Sequence, residues 1–314
     1  MNTAIIQTEN LSKAYSRGKL ALENLNLEVR QGEIFGYLGP NGAGKTTTIK
    51  LLIDLIRPTS GHARIFGKDV TTDSVEIRRR IGFLPSELAL WDSQTAMNII
   101  RYFGSVRGGV DMGYVRQLAE RLEFDLTKQM RAYSTGNKRK IGLILALMHR
   151  PELLILDEPS SGLDPLMQQT FNQLMLEARD EGRTVFLSSH VLSEVQAICD
   201  RVGILRLGRL EAVERVDRLT SVDFRWITVR FREPFPASKL VGVPGATEVT
   251  LQDNTLRLRL AGDFDPLLRA IEGQYVEDLR VQEPTLEEVF LNYYGASNHN
   301  NHNHREAVKQ GVMS

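Results

Sequence analysis

The chain has 314 residues, of which 39 are Lys or Arg and 39 are Asp or Glu, so its formal net charge is zero. This balance removes the simplest argument for nucleic-acid binding, which needs a basic excess or a basic face, and leaves open only a local basic patch. The 42% hydrophobic and 25% charged residues are typical of a globular protein, no apolar run approaches the roughly 20 residues that span a bilayer, and the single cysteine excludes an intrachain disulfide.

The N-terminal part of the chain, residues 4–30, is predicted to form strands. Leu20–Val29 alternates apolar and polar residues over most of its length, which is the period of a half-buried strand. An earlier segment, Leu11–Tyr15, ends in an aromatic residue. Taken alone, Tyr15 is interpreted as an aromatic residue at a sheet edge, whereas beside a nucleotide site its ring could stack on a base.

A glycine-rich stretch, Gly39–Thr46, fits the phosphate-binding pattern G-x-x-x-x-G-K-[ST]. It lies between an apolar run of buried-strand type, Ile34–Leu38, and a predicted helix, Thr47–Leu55, as this pattern requires. Glycines let the backbone N–H groups point at phosphate oxygens, and the helix N-terminus adds partial positive charge. The pattern predicts that Lys45 reaches the β- and γ-phosphates and that Thr46 offers its hydroxyl to Mg²⁺. The flanking strand and helix argue against the alternative, a glycine-rich turn with an ordinary lysine.

The next part of the chain is predicted to be mainly helical. Residues 87–130 are interpreted as a helical insertion after a short apolar strand, Ile81–Pro85. The four glycines of Gly104–Gly113 predict a loop inside this insertion, and Tyr133–Lys138 is predicted to be a polar loop. The predicted helices of this region are Ala96–Phe103, Tyr114–Leu122 and Lys140–His149.

Two buried strands end in residue types suited to catalysis. Leu153–Leu156 is fully apolar, as in a buried parallel strand, and Asp157 and Glu158 follow it. Buried carboxylates are costly without a cation, and ligands bind at the carboxyl ends of strands in open α/β sheets, so Mg²⁺ and water are the favoured partners. The alternative is a helix-capping Asp with a solvated neighbour. Thr184–Ser189 is a second such strand, and His190 at its end is expected beside the carboxylates, although a lone histidine is more often structural.

From about residue 220 the pattern changes to that of a small α+β domain, predicted to cover residues 221–295. The polar tail, residues 296–314, contains three histidines, and disorder is favoured over weak metal binding. The predicted elements of this domain are the strands Trp226–Phe231 and Leu256–Leu260 and the helices Pro266–Ile271 and Leu286–Tyr293, the last with a capping box of Thr285 and Glu288.

Taken together, these motifs resemble the ATPase subunit of an ATP-binding cassette (ABC) transporter, over residues 3 to about 215. Gly39–Thr46 is similar to the Walker A loop of that family, and Leu153–Glu158 is similar to Walker B with its following glutamate. Ser161–Asp164 resembles the D-loop and His190 the switch histidine. Tyr15 resembles the aromatic residue that stacks on adenine.

The resemblance implies an α/β fold: a phosphate-loop NTPase (ABC cassette) with a helical subdomain and an antiparallel β subdomain, plus the small C-terminal α+β domain. The nucleotide-binding domain is then predicted to cover residues 1–220, with 87–130 as the helical insertion before the signature loop. Ser86–Glu87, Glu283–Phe290 and Tyr293–Gly295 are similar to a branch of exporter ATPases. That branch includes drug-resistance and cell-envelope exporters whose membrane subunit is a separate chain.

Two segments depart from the family pattern. The signature loop, usually L-S-G-G-Q, reads Tyr133–Asn137 here, in which Ser134 and Gly136 are kept, so a hydroxyl and a backbone N–H can still meet a γ-phosphate. Ser86 stands where the family usually has a glutamine that contacts Mg²⁺ and water, and its side chain is shorter.

The resemblance also implies a role for each candidate residue. Lys45, Glu158 and His190 are the candidate catalytic residues, and Thr46, Asp157 and Ser86 are the candidate ligands of Mg²⁺. The candidate ATP-binding residues are Tyr15, Gly39, Pro40, Asn41, Gly42, Ala43, Gly44, Lys45, Thr46, Thr47, Ser134, Thr135, Gly136, Asn137 and Asp164.

The implied assembly is two ATPase copies, or this chain and a paralogous ATPase, closed around two ATP molecules. A separate membrane-spanning permease is the implied partner, at the cytoplasmic face of the plasma membrane, with export favoured over import and no nucleic acid expected. One alternative is a non-transport ABC ATPase acting on ribosomes or DNA, but such proteins usually have two cassettes or long coiled coils. A GTPase switch is a second alternative, but the guanine-reading motif Asn-Lys-x-Asp is missing from the sequence.

Overall fold

The structure, a computed structural model, describes residues 3–16, 18–219, 224–236, 239 and 242–284. These residues form two compact units that divide after Asp217. The domain bounds predicted from the sequence, 1–220 and 221–295, stay predictions. Across the described ranges, no helix is long and apolar enough to cross a bilayer.

The first unit alternates strands and helices along the chain. Its described strands are β1 (Ala4–Ser16), β2 (Lys19–Arg30), β3 (Ile34–Leu38), β4 (Ser60–Ile65), β5 (Lys68–Asp69), β6 (Ile81–Leu84), β7 (Leu153–Asp157), β8 (Thr184–Ser189), β9 (Arg201–Arg206) and β10 (Arg209–Arg215). The described helices up to the start of the second unit are α1 (Lys45–Leu52), α2 (Ser74–Arg79), α3 (Ala96–Val106), α4 (Met112–Arg121), α5 (Thr135–Leu147), α6 (Pro165–Asp180), α7 (Leu192–Ile198) and α8 (Val216–Leu219).

A mostly parallel sheet forms the centre of this unit, with the strand order β10-β9-β3-β8-β7-β6. The neighbours β9/β3, β3/β8, β8/β7 and β7/β6 are parallel, and only the hairpin β9/β10 is antiparallel. Every residue of β3, β7 and β8 is buried, which confirms the apolar strands predicted from the sequence. Because these strands are parallel, their carboxyl ends at Leu38, Asp157 and Ser189 lie along one edge.

A second, antiparallel sheet packs against the first through a shared apolar core. Its strand order is β2-β1-β4-β5, which confirms the antiparallel β subdomain. Ile6 and Leu22 from this sheet join Tyr37 and Phe186 from the central sheet in one buried cluster. The ring centroids of Tyr37 and Phe186, on the neighbouring strands β3 and β8, are 5.3 Å apart.

The helix after the glycine-rich loop begins and ends earlier than predicted. α1 starts at Lys45 rather than Thr47, because Gly44, at a φ of 113°, turns the chain directly into the helix. It ends at Leu52 rather than Leu55, and Asp54 then takes a left-handed φ of 57°.

The polar loop predicted at Tyr133–Lys138 is wrong, because the chain is already helical at Thr135. The Ser134 side chain accepts a hydrogen bond from the Asn137 N–H at 3.3 Å and so caps the N-terminus of α5. A cap of this kind lets a helix begin among polar residues, whereas the prediction placed the start at Lys140, next to the first apolar residue.

The loop predicted at Gly104–Gly113 is also shorter than expected. α3 continues through Gly104 to Val106, and α4 begins at Met112 because the Asp111 carboxylate accepts hydrogen bonds from two N–H groups of its first turn. Only residues 107–111 therefore connect the two helices. Both predicted helices of the insertion are present.

The second unit is a four-stranded antiparallel sheet with one described helix. Its strands are β11 (Phe224–Phe231), β12 (Ala246–Gln252), β13 (Thr255–Ala261) and β14 (Val276–Gln282), in the order β12-β13-β11-β14, and its helix is α9 (Asp265–Ala270). Ile227, Val229, Leu256 and Leu258 form the centre of its own buried core. β12 and β14 were not among the predicted strands. The predicted helix Leu286–Tyr293, its capping box and the tail lie outside the described residues.

Candidate functional site

The glycine-rich loop connects β3 to α1 at the carboxyl edge of the central sheet. Two positions of this loop need glycine, because backbone carbonyl oxygens of other segments lie where a Cβ would be. A Cβ at Gly39 would lie 2.3 Å from the Leu205 carbonyl oxygen, and a Cβ at Gly44 would lie 2.6 Å from the Ala21 carbonyl oxygen. The loop is therefore packed against β2 and the β9–β10 hairpin, which fixes the direction of its backbone N–H groups.

A cavity of about 300 Å³ opens over this loop. Eight of its lining residues are the consecutive residues 40–47, all of which the sequence predicted to bind ATP. The other lining residues are Ala21, Ser86 and Glu158. A cavity lined by loop N–H groups, a lysine and the end of a helix is suited to a chain of phosphates.

Lys45 is held inside the loop that precedes it. Its side chain is 6% exposed, and its Nζ donates to the Gly39 carbonyl at 2.6 Å and to the Pro40 carbonyl at 3.3 Å. The same Nζ lies 3.2 Å from Glu158 Oε1. The ammonium group is thus fixed beside the cavity and faces the carboxylate of Glu158, the first residue after β7.

Asp157 and Thr46 form a cluster of hard oxygen atoms at the edge of the cavity. The Thr46 hydroxyl donates to Asp157 Oδ2 at 2.8 Å, and the Ser188 hydroxyl donates to Asp157 Oδ1 at 2.6 Å. Asp157 is 1% exposed, so these bonds offset much of the cost of burying its charge. Ser188 was missed by the sequence analysis; its position at the end of a buried strand that neighbours β7 was the available signal, and Asp157 pairs with Ser188 across the two strands.

Glu158 lies between the other two candidate catalytic residues, Lys45 and His190. Its Oε1 faces Lys45, and its Oε2 lies 2.8 Å from His190 Nδ1. The Glu158 N–H donates to the Ser188 hydroxyl at 3.0 Å. The structure therefore brings His190 beside Glu158, as the parallel order of β7 and β8 predicted. A carboxylate so placed can accept a proton from water at the mouth of the cavity.

Tyr15 lies at the rim of the site rather than in it. Its side chain is 58% exposed, and its hydroxyl is 3.4 Å from the Thr47 hydroxyl. The Lys13 ammonium lies 5.6 Å from the centre of its ring. Its exposed face is free to meet a flat aromatic ligand such as a nucleotide base.

The signature residues 134–137 do not line this cavity within one chain. Ser134 and Thr135 are exposed at the start of α5. Gly136 packs closely on the backbone of Gly162, in the segment that resembles the D-loop. In that segment Asp164 accepts a hydrogen bond from the Met167 N–H at 3.0 Å and caps α6. Local contacts therefore hold the predicted ATP-binding residues of these two segments, which do not line the cavity over the glycine-rich loop of the same chain.

We expect Gly136→Ala to destabilise the protein, because the new Cβ would lie 2.7 Å from the Gly162 carbonyl oxygen, a backbone atom. Overpacking of this kind costs about 1–3 kcal/mol, and thermal denaturation of the full chain measures it. Gly113→Ala is the matched control: Gly113 is also the second residue of a helix, and its Cβ would meet only the Asp111 side chain at 3.0 Å. Equal melting temperatures for the two variants would contradict the tight contact.

Arg139 was also missed by the sequence analysis. It stands in the run of cations Lys138–Lys140 at the polar start of α5, yet it is 6% exposed and donates to the main-chain carbonyls of both Ser86 and Glu158. Burial lowers the pKa of its guanidinium, and the carboxylates of Asp157 and Glu158 act in the opposite direction. Because lysines flank Arg139 on both sides, the sequence carried no signal that distinguished it.

Comparisons with known proteins agree with this geometry. The profile of the ABC transporter family matches residues 22–161. The chain is 32% identical to the linearmycin resistance ATP-binding protein LnrL of Bacillus subtilis, over 93% of this chain and 98% of that protein. It is 39% identical to the bacitracin transport ATP-binding protein BcrA of Bacillus licheniformis, over 66% of this chain and 69% of that protein.

A solved structure of an ATP-binding subunit of an ABC transporter superposes with a TM-score of 0.63 at 30% identity. The match covers 68% of this chain and 91% of the other. The predicted family, fold class and ATPase activity are thereby confirmed. The phosphate-binding loop and Glu158 line one cavity, and the chain is similar to LnrL over nearly the full length of both proteins. The chain therefore belongs to the ATP-binding subunits of ABC transporters, and it is an ATPase of that family.

Proposed function

We propose that two ATPase copies close around two ATP–Mg²⁺ and that hydrolysis powers export through a separate membrane-spanning permease. The main support for an ATP site shared between two chains is that the cavity of one chain contains only part of the predicted ATP-binding residues. This cavity contains Lys45, Thr46 and Glu158 from one chain, whereas the signature residues 134–137 are not among its lining residues. Ser134 and Thr135 are exposed at the N-terminus of α5, where a helix end can meet an anion of another protomer.

Within each site, Lys45 and the backbone N–H groups of residues 41–47 would bind the β- and γ-phosphates, and Tyr15 would stack on the adenine. Glu158 would accept the proton of the attacking water or orient it, since it is held between Lys45 and His190. His190 would sense the γ-phosphate, and Glu158 lies between His190 and Lys45. Most of the rate enhancement then comes from positioning and from fixed charges.

The residues present fit a magnesium ion. Thr46 and Asp157 offer two hard oxygen ligands within 2.8 Å of each other, and Asp157 is buried beside the cavity. When bound, Mg²⁺ neutralises charge on the phosphates. Ser86 lines the same cavity, but its side chain is shorter than the glutamine usual in this family. In this proposal Thr46 and Asp157 are the main protein ligands, and Ser86 is a further candidate ligand that lines the same cavity.

Export and a drug-like cargo are supported by the names of two relatives, a linearmycin resistance protein and a bacitracin transport protein. The permease would hold this chain at the cytoplasmic face of the plasma membrane. Purification from gently solubilised native cells tests the partner. A multi-spanning membrane protein recovered in comparable amount is the expected result. Ribosomes, DNA or no partner at all would instead support a non-transport ABC ATPase.

A further inference from the structure

Arg139 makes an unusually complete set of contacts at the centre of the site. All of its hydrogen bonds go to main-chain carbonyl oxygens. Nε donates to Pro159 at 3.3 Å, Nη1 to Pro85 at 2.6 Å and Ser86 at 2.9 Å, and Nη2 to Asp157 at 2.5 Å and to Glu158.

These bonds use the full donor capacity of the side chain. A guanidinium has five N–H groups in a planar fork, and here each has its own carbonyl acceptor. A lysine at this position could satisfy three acceptors at most. The geometry therefore requires arginine rather than any cation.

The acceptors belong to two different segments of the chain. Pro85 and Ser86 follow β6, in the loop whose usual glutamine is replaced here. Asp157, Glu158 and Pro159 end β7. Arg139 lies on α5, five residues after Ser134. One side chain thus joins α5, the Ser86 loop and the backbone of the segment Asp157–Pro159.

Glu158 itself has a backbone conformation that needs such support. Its φ is 50°, in the left-handed region that non-glycine residues rarely adopt. Conformations of this kind persist only when their surroundings hold them, and they cluster at active sites. The Glu158 carbonyl accepts from Arg139 and its N–H donates to Ser188, so both polar groups of its backbone are fixed.

We propose that Arg139 is a positioning residue for ATP hydrolysis, which holds Glu158 in its left-handed conformation and ties it to the Ser86 loop. The inference rests on the proposed role of Glu158 as the group that orients or deprotonates water. Movement of the Ser86 loop then reaches Glu158 through main-chain carbonyls, and it does not depend on the length of the Ser86 side chain. Reactions of this type are sensitive to placement, since a shift of about 1 Å can lower the rate by roughly a hundredfold.

The test compares Arg139→Lys and Arg139→Met with wild type in steady-state ATP hydrolysis and in binding of a fluorescent ATP analogue by the full chain. We expect kcat to fall about tenfold to a hundredfold in Arg139→Lys and further in Arg139→Met. Binding should stay within about threefold, because Arg139 is not among the residues that line the nucleotide cavity. A missing cooperative thermal transition would show that Arg139→Met does not fold. In that case the kcat and ATP affinity of Arg139→Lys, which keeps the buried cation, test the proposal alone.

Arg107→Lys is the matched control, since Arg107 also donates to two carbonyls, those of Arg79 and Ile81, but at the opposite end of β6. Its kcat should equal that of wild type. Protease Glu-C gives a second readout, because Glu87 is exposed directly after Ser86. Cleavage after Glu87 should be faster in Arg139→Lys than in Arg107→Lys. Equal cleavage rates would overturn the tie to the Ser86 loop.

The double variant Glu158→Gln/Arg139→Lys separates this inference from the proposed function. If Arg139 acts through Glu158, the double variant hydrolyses ATP no more slowly than Glu158→Gln alone. Near-normal hydrolysis by Glu158→Gln would remove Glu158 from its proposed role, whatever Arg139 does. If Glu158→Gln is inactive, two results for Arg139→Lys would overturn the positioning role of Arg139. One is a kcat equal to that of wild type, and the other is a loss of ATP affinity as large as the loss of turnover.

Discussion

Glu158→Gln is expected to lower ATP turnover by about a hundredfold or more while ATP binding persists. Glutamine has the shape of the glutamate side chain but cannot accept a proton, and loss of one aimed catalytic group costs on the order of 10²–10⁴ in rate. Glu158 Oε2 lies 2.8 Å from His190 Nδ1, a contact that an amide oxygen can keep. Phosphate release and binding of a fluorescent ATP analogue measure the two effects separately.

The control for this variant is Glu177→Gln, which removes an exposed carboxylate whose partner is Arg121. It should hydrolyse ATP at the wild-type rate. If two copies close around ATP, the inactive Glu158→Gln variant should also accumulate as a dimer on size-exclusion chromatography with ATP and Mg²⁺. Turnover near the wild-type rate in Glu158→Gln would show that another group activates the water.

Lys45→Met is expected to weaken ATP binding by about tenfold to a hundredfold. The ammonium group is buried beside the cavity, and a charged hydrogen bond contributes about 1.5–3 kcal/mol, of which about 1.4 kcal/mol is tenfold in affinity. Methionine has a similar length but no charge. It would also leave the Gly39 carbonyl without the donor that lies 2.6 Å away in the wild type.

Lys50→Met is the control, because Lys50 is an exposed lysine of the same helix, in its last turn. Its ATP affinity should match that of wild type in the same titration, and both variants should melt cooperatively. An unchanged affinity in Lys45→Met would mean that the loop amides alone hold the phosphates.

The sequence by itself determined the parts of this protein that depend on local patterns. The apolar runs of β3, β7 and β8 and the glycine-rich loop were predicted with bounds close to those observed, because strand burial and loop chemistry depend on neighbouring residues. The positions of Glu158 and His190 side by side followed from a general rule, since both end parallel strands of one sheet. The start of α5 was missed because a polar cap begins a helix before any apolar residue appears.

Only the tertiary structure decided which distant residues meet. Arg139 stands in a run of three cations at the start of the predicted helix, with nothing in the sequence to mark it as buried. Its five acceptors lie between 18 and 54 residues away along the chain. Ser188 likewise joins Asp157 and Glu158 only because β7 and β8 are adjacent. Sequence periodicity reports which face of an element is buried but not what that face contacts. A buried guanidinium must satisfy its donors, and the folded chain determines which carbonyls do so.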